Sequence, residues 1–201
     1  ESFLDELAER AGQDPIQFRL AQLSDPRGRA VIARVAQMAA WKPGEPSGTG
    51  LGRGIGFARY KNRAAYAAVI AEVEVDETVR VRRVWCAADA GLVINPDGAI
   101  NQLEGGIIQS ISWVLKEQVR IETEGVASLD WETYPVLRFS EVPEIFVELI
   151  GSVDDVPLGV GEATAGPTAA AIGNAVSHAL GVRLRDLPMT RERIMASLLA
   201  G

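Results

Sequence analysis

The stretch that decides the fold class is Ala71-Glu72-Val73-Glu74-Val75-Asp76, which is followed two residues later by Val79-Arg80-Val81-Arg82. Apolar and charged residues alternate in both runs, and this period is typical of a strand with one face in water. The short interval between the runs predicts a β-hairpin. The second strand is expected to continue as an apolar run through Cys86.

Three short helices are predicted before this hairpin. The first has apolar residues at the helical spacing i, i+3, i+4 and i+7, namely Leu4, Leu7, Ala8 and Ala11. Asp14-Pro15 and Asp25-Pro26 then each place an N-cap carboxylate before a proline at the first helical position. We therefore expect a helical segment over residues 1–42.

Residues 43–54 are rich in glycine, proline and serine and predict a linker. The glycine run over residues 50–56 does not fit the G-x-G-x-x-G phosphate loop, because Ile55 or Phe57 stands where the third glycine belongs. A linker is the preferred interpretation of this run. A second unit is expected to follow over residues 55–201.

The second unit is predicted to mix helices and strands. A helix beginning near residue 96 has one apolar face, formed by Ile100, Leu103, Ile107, Ile111 and Val114. Strands are expected near residues 118–122 and 144–150, then a glycine-rich loop and an alanine-rich helix, and two short helical pieces at the end. The order favours an α+β fold, with N-terminal helices followed by a mixed sheet and packed helices.

Composition excludes several kinds of function. The chain has 201 residues, a net charge of −7, one cysteine and one histidine. These numbers exclude an intrachain disulfide and a Cys- or His-rich metal site, so no metal ligands are predicted. The acidic balance argues against nucleic acid as a partner, and no apolar stretch reaches the 18 residues that membrane insertion needs.

The negative charge is concentrated in an acidic segment, residues 117–162. It contains eleven acidic and two basic residues. A solvated acidic surface is the simplest interpretation. Binding to a partner chain is the alternative.

Two segments suggest chemistry. Glu162 lies between a glycine loop containing Gly161 and a helix start, where a carboxylate shielded from water could act as a general base. Alternatively, its charge only stabilises the helix N-terminus. Gly105 and Gly106 each cost a helix interior about 1 kcal/mol relative to alanine. They fit either close approach of a cofactor, with the amide of Gln102 on a heterocycle edge, or tight helix packing.

These segments together resemble the C-terminal part of the molybdenum-binding large subunit of the xanthine dehydrogenase/aldehyde oxidase family, of the isoquinoline 1-oxidoreductase β-subunit type. Four stretches in the family's order carry the resemblance across nearly the whole chain. They are Glu1-Ser2-Phe3-Leu4-Asp5-Glu6-Leu7-Ala8 with Asp14-Pro15-Ile16-Gln17-Phe18-Arg19, Asp89-Ala90-Gly91 with Asn95-Pro96, Gln102-Leu103-Glu104-Gly105-Gly106, and Gly159-Val160-Gly161-Glu162.

The resemblance implies a catalytic role for Glu162. As general base it would take a proton from the water-derived hydroxyl group that attacks an electron-poor carbon. The reaction would oxidise an aldehyde or hydroxylate an N-heteroaromatic ring. Gln102 would contact the pterin, and Gly105, Gly106 and Gly161 would also bind cofactor.

The same resemblance implies the cofactors and partners. The expected cofactor is molybdenum–molybdopterin in its cytosine dinucleotide form, bound by a partial molybdopterin-binding domain at residues 55–201. [2Fe–2S] clusters would lie on a small partner subunit, and the remainder of the large subunit would be a second partner. The substrate would be a small molecule.

The sequence also departs from the family pattern. The family's Gly-Gln-Gly cofactor loop is absent from this chain, and Ala163-Thr164-Ala165-Gly166 separate Glu162 from the proline that often follows sooner. We therefore expect a part of a larger subunit that holds no cofactor and is inactive alone. The cytoplasm is the expected location, or the periplasm if an upstream leader exists. The alternative function is a non-catalytic packing or assembly module.

Overall fold

The computed structural model describes residues 1–44 and 49–200. Three helices open the chain: α1 (Ser2–Arg10), α2 (Pro15–Gln22) and α3 (Pro26–Met38). The carboxylate of Asp14 accepts hydrogen bonds from the N–H groups of Ile16 and Gln17, and Asp25 does the same for the start of α3. Both predicted N-caps are confirmed.

A four-stranded mixed sheet follows. Its strands are β1 (Leu51–Arg59), β2 (Tyr66–Val75), β3 (Val79–Asp89) and β6 (Glu144–Leu149), in the order β1-β2-β3-β6. The predicted hairpin is the antiparallel β2–β3 pair, and β6 lies parallel to β3. Two short strands, β4 (Ile121–Glu122) and β5 (Gly125–Val126), form a separate ribbon. The α+β prediction is confirmed.

Helices cover both faces of the sheet. Helices α4 (Pro96–Leu115) and α5 (Ala165–Leu180) pack on one face, where the buried residues include Val69, Ile107 and Ile172. Helix α3 packs on the other face, where Ile32 and Ile70 are buried. The predicted apolar face of α4 is therefore a core face, and the predicted alanine-rich helix α5 packs on the same side of the sheet.

The linker prediction is wrong for residues 51–54, because β1 begins at Leu51; residues 45–48 lie outside the described part of the chain. Gly52, Gly54 and Gly56 alternate along β1, and a Cβ atom on any of them would overlap the backbone of α5. On Gly54 it would lie 2.7 Å from the carbonyl carbon of Asn174. The glycines are a packing surface that lets α5 lie directly on the strand.

The described part of the chain after α5 contains fewer helices than expected. Only one helix, α6 (Arg191–Ala200), follows α5 in the described residues, where two short pieces were predicted. Gly181 ends α5 in the left-handed conformation (φ 73°), which glycine adopts without steric cost.

Candidate functional site

The two segments singled out in the sequence meet in the structure. Gln102 lies on the exposed side of α4, and its Nε2 donates a hydrogen bond of 3.0 Å to the carbonyl oxygen of Gly161. This bond joins α4 to the loop that carries Glu162. Two predicted cofactor-binding residues, 59 positions apart in the chain, are therefore neighbours.

The adjacent glycines of α4 have different roles. A Cβ atom on Gly106 would lie within 3.0 Å of the Thr164 hydroxyl oxygen, and that hydroxyl donates to the carbonyl of Leu103 at 3.2 Å. Gly106 therefore allows close packing of α4 against the loop. Gly105 is exposed, and a Cβ atom there would meet no described atom within 4 Å apart from the neighbouring backbone of its own helix.

Gly105 opens onto a groove of about 490 Å³. The groove is lined by polar and small residues of α4 and by the chain that returns beside it, including Gln102, Gly105, Gly106, Gln109, Val136 and Leu137. Gly159 and Gly161 are also open, with space for a Cβ atom. A groove with polar side chains and open glycine backbone fits a cofactor that approaches the backbone closely.

Glu162 lies at the edge of this site. The residue is exposed, and its carboxylate accepts a hydrogen bond from the Tyr60 hydroxyl group. The loop backbone beside it is anchored, because Ala163 and Thr164 are each only 1% exposed. The carboxylate points to Tyr60, and within this chain it is not shielded from water.

Tyr60 is the site residue that the sequence did not reveal. It follows β1 directly and lies 102 positions from Glu162. The hydrogen bond to Glu162, followed by burial, raises the pKa of Tyr60, so the phenol remains protonated and acts as a donor. Only the packing of α5 on β1 brings the two residues together.

Asp89, in a stretch that carries the family resemblance, has a structural role. Its carboxylate accepts hydrogen bonds from the Arg27 guanidinium at 2.6 and 2.8 Å, and from the N–H of Gly91 at 2.9 Å. This pair of a buried carboxylate and a partly exposed guanidinium ties α3 to the end of β3.

Other reactive residues lie away from this site. Cys86 is buried in the core, and burial raises the pKa of its thiol to about 12, as expected for a structural cysteine. A second cavity of about 510 Å³ lies between α1, α5 and the chain after α3, and contains none of the predicted site residues. There His178 Nδ1 accepts a hydrogen bond of 3.2 Å from the N–H of Arg53.

Across residues 1–44 and 49–200, no group of three His, Cys, Asp or Glu side chains could hold a metal ion. No helix in the same ranges is long and apolar enough to cross a membrane.

The sequence matches the family model of the molybdopterin cofactor-binding domain over residues 3–143. The chain belongs to the molybdopterin-binding proteins of the xanthine dehydrogenase family. The matched part of the family domain includes Gln102, Gly105 and Gly106, and it ends before Gly161 and Glu162.

Two curated relatives match nearly the whole chain, and one of them is an isoquinoline 1-oxidoreductase β-subunit. The chain is 44% identical to a nicotinate dehydrogenase subunit of Pseudomonas putida over 214 residues, which covers 98% of the chain and 18% of the relative. It is 40% identical to the isoquinoline 1-oxidoreductase β-subunit of Brevundimonas diminuta over 194 residues, covering 94% and 24% respectively. The chain therefore spans a quarter or less of these relatives' lengths.

The fold agrees with a solved member of the molybdenum hydroxylases. Quinoline 2-oxidoreductase from Pseudomonas putida 86 superposes with a TM-score of 0.64 at 29% identity, covering 67% of this chain and 19% of that one. The family and α+β predictions are both confirmed.

Proposed function

We propose that this chain is the part of a molybdenum-dependent oxidoreductase large subunit that carries the general base and one wall of the cofactor site. The observation that supports this best is the hydrogen bond from Gln102 to the Gly161 carbonyl. This bond connects α4, whose open surface fits a cofactor, with the loop that carries the Glu162 carboxylate.

The residues present fit a molybdenum–molybdopterin cofactor, proposed in its cytosine dinucleotide form. Gly105, Gly159 and Gly161 leave open backbone, and Gln102 presents an exposed amide with an oxygen that accepts no hydrogen bond from the described residues. Gln102, Gly105, Gly106 and Gly161 are the residues proposed to bind it, Gly106 by keeping α4 against the loop. When bound, this cofactor supplies the two-electron redox centre.

Glu162 is the proposed general base. Its carboxylate stands on an anchored loop and accepts a hydrogen bond from Tyr60, so one of its oxygens is held and the other is available to accept a proton. Because Glu162 is exposed here, enclosure of the base must come from outside this chain. The isolated chain is therefore proposed to be inactive.

The remainder of the large subunit is the proposed source of that enclosure. Residues 117–143, the arm, extend from α4 with many apolar side chains in solvent: Val119, Ile121, Val126, Leu129, Trp131, Val136 and Phe139. Phe139 is 100% exposed and Leu129 is 81% exposed. Exposed apolar surface on this scale is typical of an interface.

The names of the relatives suggest the substrate class. Nicotinate, isoquinoline and quinoline are N-heteroaromatic rings with an electron-poor carbon. We propose hydroxylation of such a ring, with aldehyde oxidation as the other reaction. A small subunit with [2Fe–2S] clusters is proposed as electron acceptor, and a reducing cytoplasm suits the single free thiol of Cys86, with the periplasm as the other location.

The decisive test is Glu162→Gln in the complete enzyme. Turnover should fall by roughly 10²–10⁴, the usual effect of losing a general base, while molybdenum content measured by mass spectrometry stays at the wild-type level. Full loading with near wild-type turnover would overturn the assignment.

Cofactor binding is tested with neighbouring residues on α4. Gln102→Ala should lower cofactor retention by roughly 5- to 10-fold, because about one or two hydrogen bonds are lost. Asn101→Ala is the matched control, since the Asn101 amide donates a hydrogen bond to the carbonyl of Asp97 within its own helix. Equal cofactor retention in the two variants would show that Gln102 does not bind the cofactor.

A non-catalytic assembly module is the second candidate function, and the exposed arm favours it. Reconstitution with the remainder of the large subunit separates the two. A stable complex that contains molybdenum supports the catalytic proposal, whereas a stable complex without molybdenum under loading conditions supports the assembly module.

A further inference from the structure

We infer that Tyr60 is a positioning residue for Glu162, whose hydroxyl group fixes the orientation of the carboxylate. This inference rests on the proposed role of Glu162 as base. The direct observation is the hydrogen bond from Tyr60 Oη to Glu162 Oε2. A hydrogen bond donated to an ionised carboxylate is stronger and more directional than one between neutral groups.

The fold places Tyr60 by packing rather than by local sequence. Gly56 of β1 meets the first turn of α5, where a Cβ atom would lie 3.0 Å from the carbonyl carbon of Pro167 and closer still to its oxygen. The end of β1 is therefore held against the start of α5. Tyr60 follows that strand end, and Glu162 precedes that helix start.

The turn after β1 is shaped to hold the phenol in place. Lys61 and Asn62 have positive φ angles of 50° and 57°, which non-glycine residues adopt only where the surroundings require it. The N–H of Tyr60 donates to the carbonyl of Ala65, and the carbonyl of Tyr60 accepts from Ala64. The backbone of Tyr60 is therefore fixed on both sides.

Charge at this turn favours the donor role. The hydrogen bond to Glu162 raises the pKa of Tyr60, while the Lys61 ammonium, 5.2 Å from the centre of the phenol ring, lowers it to a smaller extent. The net effect is a raised pKa, so the phenol of Tyr60 stays protonated. Tyr60 can then donate to Glu162 throughout the neutral pH range.

The two supports of the loop act on different atoms. Gln102 holds the backbone through the carbonyl of Gly161, and Tyr60 holds only the carboxylate of Glu162. Loss of the Tyr60 hydroxyl should therefore release the base without releasing the loop. That separation allows a positioning role to be distinguished from a structural one.

The kinetic test uses Tyr60→Phe in the complete enzyme, which removes only the hydroxyl group. We expect kcat to fall by roughly 10- to 100-fold, as for a misplaced reacting group, with KM and molybdenum content unchanged. Tyr66→Phe is the matched control, because Tyr66 donates a similar hydrogen bond of 2.9 Å to Asp25. Its kcat should remain at the wild-type value.

A second readout does not depend on activity. 3-Fluorotyrosine placed at position 60 of the cofactor-free complete enzyme reports phenol ionisation by ¹⁹F NMR. Glu162→Gln should lower the pKa of the labelled phenol, because the charged acceptor that raises it is gone. The same label at position 66 should titrate identically in both backgrounds.

The outcomes separate the two proposals. The positioning role is overturned if Tyr60→Phe retains wild-type kcat, or if Glu162→Gln leaves the pKa of the label at position 60 unchanged. In either case the base assignment stands. If the label responds but Glu162→Gln retains full turnover, the base assignment fails and the positioning role falls with it.

Discussion

Replacing Gly54 by alanine places a methyl group between β1 and α5. The new Cβ atom would lie 2.7 Å from the carbonyl carbon of Asn174, and closer to the backbone of Ala171 and Ala175. Carbon atoms in contact are normally about 3.5–4.0 Å apart. Because all three neighbours are backbone atoms, no side-chain rotation can relieve the overlap, and α5 must move by about 1 Å.

That movement determines the expected loss of stability. Overpacking of a core typically costs about 1–3 kcal/mol, and a backbone-to-backbone overlap belongs at the upper end. The shift also stretches the 2.8 Å hydrogen bond from Asn174 Nδ2 to the carbonyl of Ile55. We expect a loss of about 3 kcal/mol, and a fall in Tm of roughly 6–12 °C for a chain of this size.

The assay is thermal and urea unfolding of the chain, followed by circular dichroism. Gly105→Ala is the matched control, since a Cβ atom there meets nothing within 4 Å in the described structure. In a helix interior this change should stabilise by about 0.5–1 kcal/mol. Equal unfolding midpoints for Gly54→Ala and the wild type would refute the packing role of the β1 glycines.

Three further outcomes are expected. Cys86 should resist a thiol reagent at pH 8 in the native chain and react after unfolding, because burial raises its pKa to about 12; rapid native labelling would contradict its position in the core. Burial opposes ionisation of Asp89, but hydrogen bonds from Arg27 and the Gly91 N–H, with the Arg27 charge, lower its pKa overall. Asp89→Asn should therefore cost about 2 kcal/mol at pH 7 in urea unfolding. This difference should shrink as the pH falls below about 4 and through the lowered pKa of the folded state, and a difference that does not change between pH 7 and the acid limit of folding would exclude the ion pair as its cause. Gly105→Ala in the complete enzyme should fold normally but lower molybdenum content, and full loading would show that nothing approaches Gly105.

Local signals in the sequence predicted local structure correctly. Asp14 and Asp25 cap helices because a cap needs only the next three residues. The β2–β3 hairpin likewise follows from alternation over a dozen positions. Glu162 and Gln102 were identified separately, but their shared site depends on how α4 and α5 pack.

Features that depend on distant residues were missed. The glycines of β1 resemble a linker in the sequence because their partners, from Pro167 to Ala179, come more than 100 positions later. Tyr60 has no motif of its own, and its role exists only beside Glu162. The neighbouring Gly105 and Gly106 look equivalent in sequence, yet one opens onto a groove and the other packs against Thr164.

Glu162, the proposed base, is connected through Gln102 to the groove that the arm lines. Val136 and Leu137 of the arm line the same groove as Gln102, which in turn holds the loop of Glu162. A polypeptide that covers the apolar side chains of the arm would therefore also cover the groove. We propose that the same polypeptide extends over the exposed Glu162 carboxylate and removes water from it. Enclosure would strengthen the hydrogen bond between Tyr60 and Glu162, because electrostatic interactions grow as the local dielectric falls. Under the proposed function, docking of the remainder of the large subunit would complete the proposed cofactor site and enclose Glu162, the proposed base, in one step.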